Sequence, residues 1–475
     1  MKKSLWVLAF LYLLTRPSLG TTTSTHPNVL LIIVDDLNPA LGCYGNVEVK
    51  TPNIDRLAAR GTRFDRAYCQ YPLCNPSRIS LLSGRRPETT GVYVLTTAAR
   101  TALPTAVMLP EFFRRQGYYS AGAGKVFHNA KVSDSASWDR YEDGPPDDEE
   151  EKAAIESRYS GGDGRPRAHI LTSDGTRTRD GKNIRTILQL MAEKSAIGQP
   201  FFLAAGIHKP HLPWTAPKKF FDLYPSGSIT LPAELPLVDV PAIALQTELS
   251  GFAQPDSRLE AIRGYYACVS FTDAHVGMLM AELDRLDLWK NTVVVLMGDN
   301  GFHLGDHAGL WAKLSAFDAS TRVPLILAGA GVPTGQVITT PVALLDVYPT
   351  LLDLSGFALP AGLEGESLVP SLHNRSRAPH APVASLVYHY DVARQVDVVG
   401  RTAISELWRY TEWDGGKAGR EFYWRSDDPR EYHNRIADAA VSAEVKVGED
   451  LLRRMPKPKP GPANRPRALL PNSEK

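Results

Sequence analysis

Cysteine is scarce in this chain, with 4 among 475 residues. A small fold stapled by disulfides is excluded at that count. Charge of one sign is also lacking. Lys plus Arg is 53 and Asp plus Glu is 52, giving a formal net charge of +1. No global polyanion surface is indicated and no nucleic-acid partner is expected, while a local basic patch stays open. No internal repeat is visible, and no apolar run is long enough to span a bilayer. What remains is a globular composition, 43% hydrophobic and 22% charged. The length suits two or three core units, or one large α/β core with an appendage.

Lys2 and Lys3 precede a short apolar run over residues 5–14, followed by the turn-like Pro17-Ser18-Leu19-Gly20. This layout predicts a secretory signal over residues 1–20, with cleavage near Thr21. No Cys follows the run, so neither a lipid anchor nor another stable membrane anchor is expected. The protein is expected to be exported, periplasmic or secreted.

Residues 29–34 form an apolar, β-branched run that ends in Asp35-Asp36. It reads as a strand buried on both faces, as in a parallel sheet. Further strand-like segments occupy 118–123, 201–205, 292–297 and 324–327. Helical patterns lie between them. Thr51 as N-cap and Pro52 in the first turn open one that Gly61 stops. Others cover 110–116, the Ile184, Ile187, Leu188 and Met191 face, 257–286 and 342–354. The alternation predicts a large, mostly parallel sheet sandwiched by helices over residues 21–375. Short aromatic strands after residue 381 and a last helix near 439–454 predict a smaller α+β subdomain over 376–455, with a short antiparallel sheet. Residues 456–475 read as a basic, Pro-rich disordered tail, and the acidic run 142–151 as a solvated loop. Asn374-Arg375-Ser376 is a glycosylation sequon.

In such sheets ligands bind beyond the carboxyl ends of the strands. Asp35, Asp36, Asp299 and Asn300 fall at two such ends. Together they offer oxygen donors suited to Ca²⁺ or Mg²⁺. The histidines of Lys125-Val126-Phe127-His128 and His208-Lys209-Pro210-His211 lack the spacing of a helical zinc site. Cys74-Asn75-Pro76-Ser77-Arg78 is the sharpest feature. Pro76 reads as an early helix residue, which puts Cys74 at a helix N-terminus, where thiol pKa falls and anions bind.

Cys-x-Pro-Ser-Arg resembles the signature of the type I sulfatases of the alkaline phosphatase superfamily. The resemblance extends through Asn28 to Asp36, Thr51 to Ala58, Gly84-Arg85-Arg86-Pro87, Gly124 to His128, Gly298-Asp299-Asn300-Gly301, and Gly305-Asp306-His307 with Lys313. Several stretches look most similar to the iduronate-2-sulfatase group, among them Gly206 to His211, Trp311 to Pro324 and Tyr423 to Asn434. The resemblance implies sulfate ester hydrolysis on a sulfated sugar or polysaccharide, with iduronate 2-sulfate a leading member. A phosphate or phosphonate ester hydrolase and a non-catalytic glycan binder are the alternatives. It also implies that a maturing enzyme converts Cys74 to formylglycine, whose hydrate attacks sulfur.

By the same resemblance, Asp35, Asp36, Asp299, Asn300 and the modified Cys74 hold the cation, Ca²⁺ ahead of Mg²⁺. Arg78 holds the nucleophile. Lys125 and Lys313 bind sulfate oxygens, His208 is the acid for the leaving oxygen, and His128 takes the later proton. Asp299 doubles as a base on the hydrate. His211 and Lys209 stand between substrate contact and scaffold. Two departures concern the substrate. Iduronate-2-sulfatases typically carry His where this chain has Asn300, and residues 213–217 differ, so that Trp214 becomes a candidate sugar-stacking residue.

Overall fold

The structure, a computed structural model, describes residues 26–157, 168–225, 227–231, 234–246, 255–373, 382–391 and 393–460. The expected signal segment, the sequon and most of the expected tail lie outside them. Among the described residues, no helix is long and apolar enough to cross a membrane.

The core is a nine-stranded sheet. Its order is Gln336–Ile338, Gly61–Tyr68, Arg322–Gly329, Thr292–Gly298, Asn28–Val34, Phe201–Ile207, Tyr119–Gly124 and Arg140–Glu142, and the ninth strand, Val342–Ala343, also pairs with Gly61–Tyr68. Arg322–Gly329 runs antiparallel to both of its neighbours, and the other pairings are parallel. The central strands are buried on both faces because alternate residues feed two cores. Leu30, Ile32, Leu203 and Leu296 pack with helices Pro52–Arg60, Arg179–Ala196 and Pro255–Arg285. Val29, Leu31, Phe202 and Val295 pack against Cys74–Ser83, Leu109–Arg115 and Val347–Leu354 on the opposite face.

A second sheet, Val383–Asp391, Val396–Ile404, Trp408–Trp413 and Gly419–Trp424, is an antiparallel meander. One face carries Tyr410 and Phe422 under the helix Ser442–Arg454, through Leu452. The other presents Leu386, Val398, Trp413 and Tyr423 to Leu310, Leu314 and Phe317 of the large unit. The small sheet therefore packs on the segment that contains Lys313.

Three local expectations change. The acidic run is a loop over residues 143–148 only. Asp148 caps the helix Glu149–Glu156, and Glu151 is buried, accepting from the Arg179 amide at 2.7 Å. Thr51 does not cap its helix, because its hydroxyl donates to Asp55 at 3.1 Å and accepts from the Gly42 amide at 2.9 Å. The helix expected over 342–354 starts only at Val347, since Val342–Ala343 pairs as a strand.

Candidate active site

Four neighbouring parallel strands end level with one another. The register pairs Val34 with both Ile207 and Gly298, and Gly124 with Gly206. Asp35-Asp36, His208, Asp299-Asn300 and Lys125 therefore leave the sheet side by side on one rim. The approach is close. A Cβ on Gly206 would lie 2.2 Å from the Lys125 carbonyl carbon, so only glycine fits there. The edge strand Arg140–Glu142 ends on the same rim and delivers Asp143.

The helix Cys74–Ser83 brings the remaining groups, and all ten of its residues are buried. Ser77 donates to the Asp299 carbonyl at 2.5 Å. Arg78 donates through Nε to Asp299 at 2.8 Å and through Nη2 to Asp35 at 3.2 Å, and also bonds the Lys125 and Val126 carbonyls. Cys74 Sγ lies 2.9 Å from Lys313 Nζ and 3.9 Å from Asp36 Oδ1. Lys313 also pairs with Asp36, and Lys125 with Asp35.

The carboxylates, Arg78 and both lysines are buried. Burial opposes ionisation of Asp35, yet Lys125, His211, Arg78 and Lys313 hold its carboxyl well below the usual range. Burial lifts Asp299 to about 6, with Asp35 and Asp36 adding to the effect against the pull of Arg78. The expectation of an acidified thiol at the helix start does not hold for Cys74. Burial and Asp35 push it well above the ordinary value, overriding Lys125 and Lys313.

This donor set fits a hard cation. Carboxylate oxygens of Asp35, Asp36 and Asp299 lie within 4.8 Å of one another. Asn300 Oδ1 is buried and has no hydrogen-bond partner among the described residues, while its amide donates to Asp36 at 2.8 Å. An orphaned oxygen beside three carboxylates is what an oxygen-ligated divalent ion would satisfy. His303, Asp306 and His307 also cluster, but their ring nitrogens already face Asp306, Ser315 and the Glu431 carbonyl. That cluster shapes its loop.

The two rim histidines face different partners. His208 Nδ1 faces Asp180 at 3.0 Å and its Nε2 faces Asp143 at 3.5 Å. His211 is the imidazole that groups with Asp35 and Cys74, its Nε2 being 3.8 Å from Asp36. Its Nδ1 faces the Leu212 carbonyl at 2.8 Å. Burial, with Lys125 alongside, lowers His211 to about 4 and His128 to about 2. His128 Nδ1 is buried without a hydrogen-bond partner among the described residues. Lys209 turns inward to the Pro213 carbonyl at 2.6 Å and is scaffold.

A family model described as Sulfatase matches residues 27–357. The chain belongs to the sulfatase family. A model described as N-sulphoglucosamine sulphohydrolase, C-terminal, matches residues 305–457. The chain is 35% identical over 406 residues to iduronate 2-sulfatase of Homo sapiens, covering 74% of this chain and 72% of that one. It is 32% identical over 471 residues to a sulfatase of Formosa agariphila, with 90% and 86% covered. A solved 2-O GAG sulfatase superposes with a TM-score of 0.68 at 24% identity, covering 90% of this chain and 91% of that one. The phosphonate monoester hydrolase of Silicibacter pomeroyi gives 0.73 at 21% identity, over 90% and 94%. These last two likenesses establish the alkaline-phosphatase-like fold alone.

One expected contact of this sulfatase is overturned. Trp214 is fully buried on the strand Trp214–Pro217, with its ring 5.9 Å from Trp311 at 72°. It fills the core and cannot stack on a sugar. Asp180, Asp143 and Tyr265 are site residues that the sequence did not single out. Asp180 gave no signal beyond an acid in a helix's first turn, and Asp143 lay in a run that reads as solvent-exposed.

Tyr265 sits on the long helix Pro255–Arg285 and is buried. Its hydroxyl donates to the Asp36 carbonyl at 2.8 Å and accepts from the Asn38 amide at 2.9 Å. Asp36 has a φ of 59°, a left-handed conformation uncommon for residues with a side chain, though aspartate tolerates it better than most. Tyr265→Phe is therefore expected to weaken divalent-cation binding by about tenfold. It should lower stability by only about 1–2 kcal/mol. Calorimetric titration of the chelator-stripped protein with Ca²⁺ checks the first effect, and urea unfolding checks the second.

Proposed function

We propose that this sulfatase hydrolyses sulfate esters of sulfated sugars, with a 2-O-sulfated iduronate unit as the leading substrate. The carrying observation is Cys74 at the first turn of a buried helix, between Lys313 and a cradle of three carboxylates. The 35% identity to a relative named iduronate 2-sulfatase supports the choice of sugar. Conversion of Cys74 to formylglycine by a maturing enzyme supplies a hydrated aldehyde, one hydroxyl to bond sulfur and one to release it. A divalent cation, Ca²⁺ ahead of Mg²⁺, held by Asp35, Asp36, Asp299, Asn300 and the modified residue 74, supplies Lewis-acid polarisation.

The chain's own residues do the rest. Lys125 and Lys313 pair with Asp35 and Asp36, so each ammonium is held where a sulfate oxygen can take one of its donors. Arg78 fixes the two carboxylates and the helix on which the nucleophile sits. His128, kept neutral, has a nitrogen without a hydrogen-bond partner among the described residues, with which to take a proton when residue 74 is restored. His211, not His208, is assigned as the acid for the leaving alcohol, because it faces Cys74 while Asp180 and Asp143 engage His208.

Two outcomes follow for His211. His211→Gln is expected to lower kcat on a sugar sulfate by about 10²-fold or more, and His208→Gln by less than about tenfold. The loss should shrink for an aryl sulfate, whose leaving group needs no proton. A general acid must carry its proton, and His211 is pulled down to about 4. Raising the pH strips that proton, so the His211 contribution to kcat on sugar sulfates should be lost as pH rises through and beyond about 4. Stopped assays on a sugar sulfate and an aryl sulfate, with both variants, read each effect.

A panel of sulfated disaccharides, scored by released sulfate, identifies the sugar. Faster turnover of a phosphate or phosphonate monoester would replace this reading with that of a phosphoester hydrolase. The export expectation is tested by sequencing the N-terminus of protein recovered outside the cytoplasm.

A further inference from the structure

Lys313 sits in a strained position. Ala312 and Leu314 on either side have φ of 70° and 68°. Two left-handed non-glycine residues around one lysine persist only where the surroundings over-determine them. The Leu314 amide donates to the Pro72 carbonyl at 3.2 Å, two residues before Cys74. Its carbonyl faces His389 Nε2 at 2.5 Å.

His389 comes from the small sheet, on the strand Val383–Asp391, and is 2% exposed. Its other nitrogen, Nδ1, faces the Ile243 carbonyl at 2.6 Å, and its ring lies on Trp413 with centroids 4.6 Å apart. The ring thus joins three elements of different origin: the turn Ala242–Leu245, the Lys313 segment and the strand Trp408–Trp413. Neighbouring contacts reinforce the same segment. His303 Nε2 meets Ser315 Oγ at 2.6 Å, and Arg409 bonds the Ala316 carbonyl. His389 reaches Leu314, the residue after Lys313, from the small sheet.

We propose that His389 is a positioning residue of the sulfate site: by bonding the Leu314 carbonyl it fixes the Lys313 ammonium beside Cys74 and makes the small sheet part of the active site. This inference rests on the reading of Lys313 as a sulfate-binding residue. A loosened segment would let the ammonium drift from the sulfate oxygens, and a displacement near 1 Å is enough to cost a large factor in rate.

The test uses the full, matured, Ca²⁺-loaded chain and three measurements: kcat on a sulfated disaccharide, the inhibition constant of inorganic sulfate, and the midpoint of thermal unfolding. His389→Phe keeps a ring on Trp413 and removes both ring nitrogens. It is expected to lower kcat and weaken sulfate inhibition, each by about tenfold or more, with cation affinity unchanged. His389→Gln, whose amide reaches the Leu314 carbonyl, should recover both to within about threefold of the wild type. A folded His389→Phe enzyme with wild-type kcat and sulfate inhibition would overturn the proposal, whatever its unfolding midpoint. If that variant does not accumulate, His389→Gln and the shorter His389→Asn decide, and equal values in the two overturn the proposal. Failure of sulfate to inhibit the wild-type enzyme would instead overturn the underlying reading of Lys313.

Discussion

Cys74→Ala should abolish sulfate release, with kcat falling by about 10⁴-fold or more, while the protein stays folded. The two halves of this expectation have different causes. The side chain of residue 74 is the group assigned as the attacking atom, and removing a covalent nucleophile removes the pathway rather than slowing it. For the fold the change is small. Cys74 is buried, but alanine deletes only the one or two terminal heteroatoms of residue 74, and the cavity costs about 1 kcal/mol. Lys313 loses its contact with sulfur and keeps the one with Asp36. Turnover and thermal unfolding measured on the same preparation separate the effects. A Cys74→Ala protein with half the wild-type activity would remove the nucleophile from the proposal.

The second large effect concerns Arg78. Its guanidinium has no exposed surface and bonds Asp299 and Asp35, which are equally buried. Arg78→Gln leaves two carboxylates without their shared counter-charge, and breaking a buried pair on one side costs about 3–5 kcal/mol. The loss should appear in urea unfolding of the chelator-stripped protein. Saturating Ca²⁺ should restore part of it, because a cation binding the same carboxylates only in the folded state adds stability by mass action. Arg78→Lys should fall between, since one ammonium cannot reproduce the fork that spans both acids. Equal destabilisation with and without Ca²⁺ would mean that the cation does not sit on Asp35 and Asp299.

Much of this site was legible along the chain. The runs before Asp35, Asp299 and His208 are apolar, the first two rich in β-branched residues, because their strands are buried on both faces, and such runs end where polar residues can reach the rim. Gly and Pro marked the exits. Adjacent parallel strands then brought Asp35, Lys125, His208 and Asp299 together without further instruction from local sequence.

What could not be read has a common cause, which is side-chain direction. His208 and His211 are three residues apart in one loop, and spacing does not say which ring turns toward Cys74. Trp214 lies between Pro213 and Pro217 and looked exposed, yet its strand pairs with Ala168–Leu171, and that turns the indole into the core. Tyr265 reads as one more apolar position on a long helix, and its hydroxyl gains meaning only from Asp36, 229 residues earlier. For Cys74, the helix start was visible but the acids pressing on it were not.

The most direct measurement is sulfate release, followed by ion chromatography, from defined 2-O-, 6-O- and N-sulfated disaccharides. The protein is co-expressed with a formylglycine-generating enzyme and loaded with Ca²⁺, with Cys74→Ala as the control. Release from the 2-O-sulfated iduronate disaccharide, absent in the control, is the expected result. No release from any sulfated sugar by protein whose residue 74 is shown by mass to be formylglycine, or equal release by Cys74→Ala, would refute the assignment.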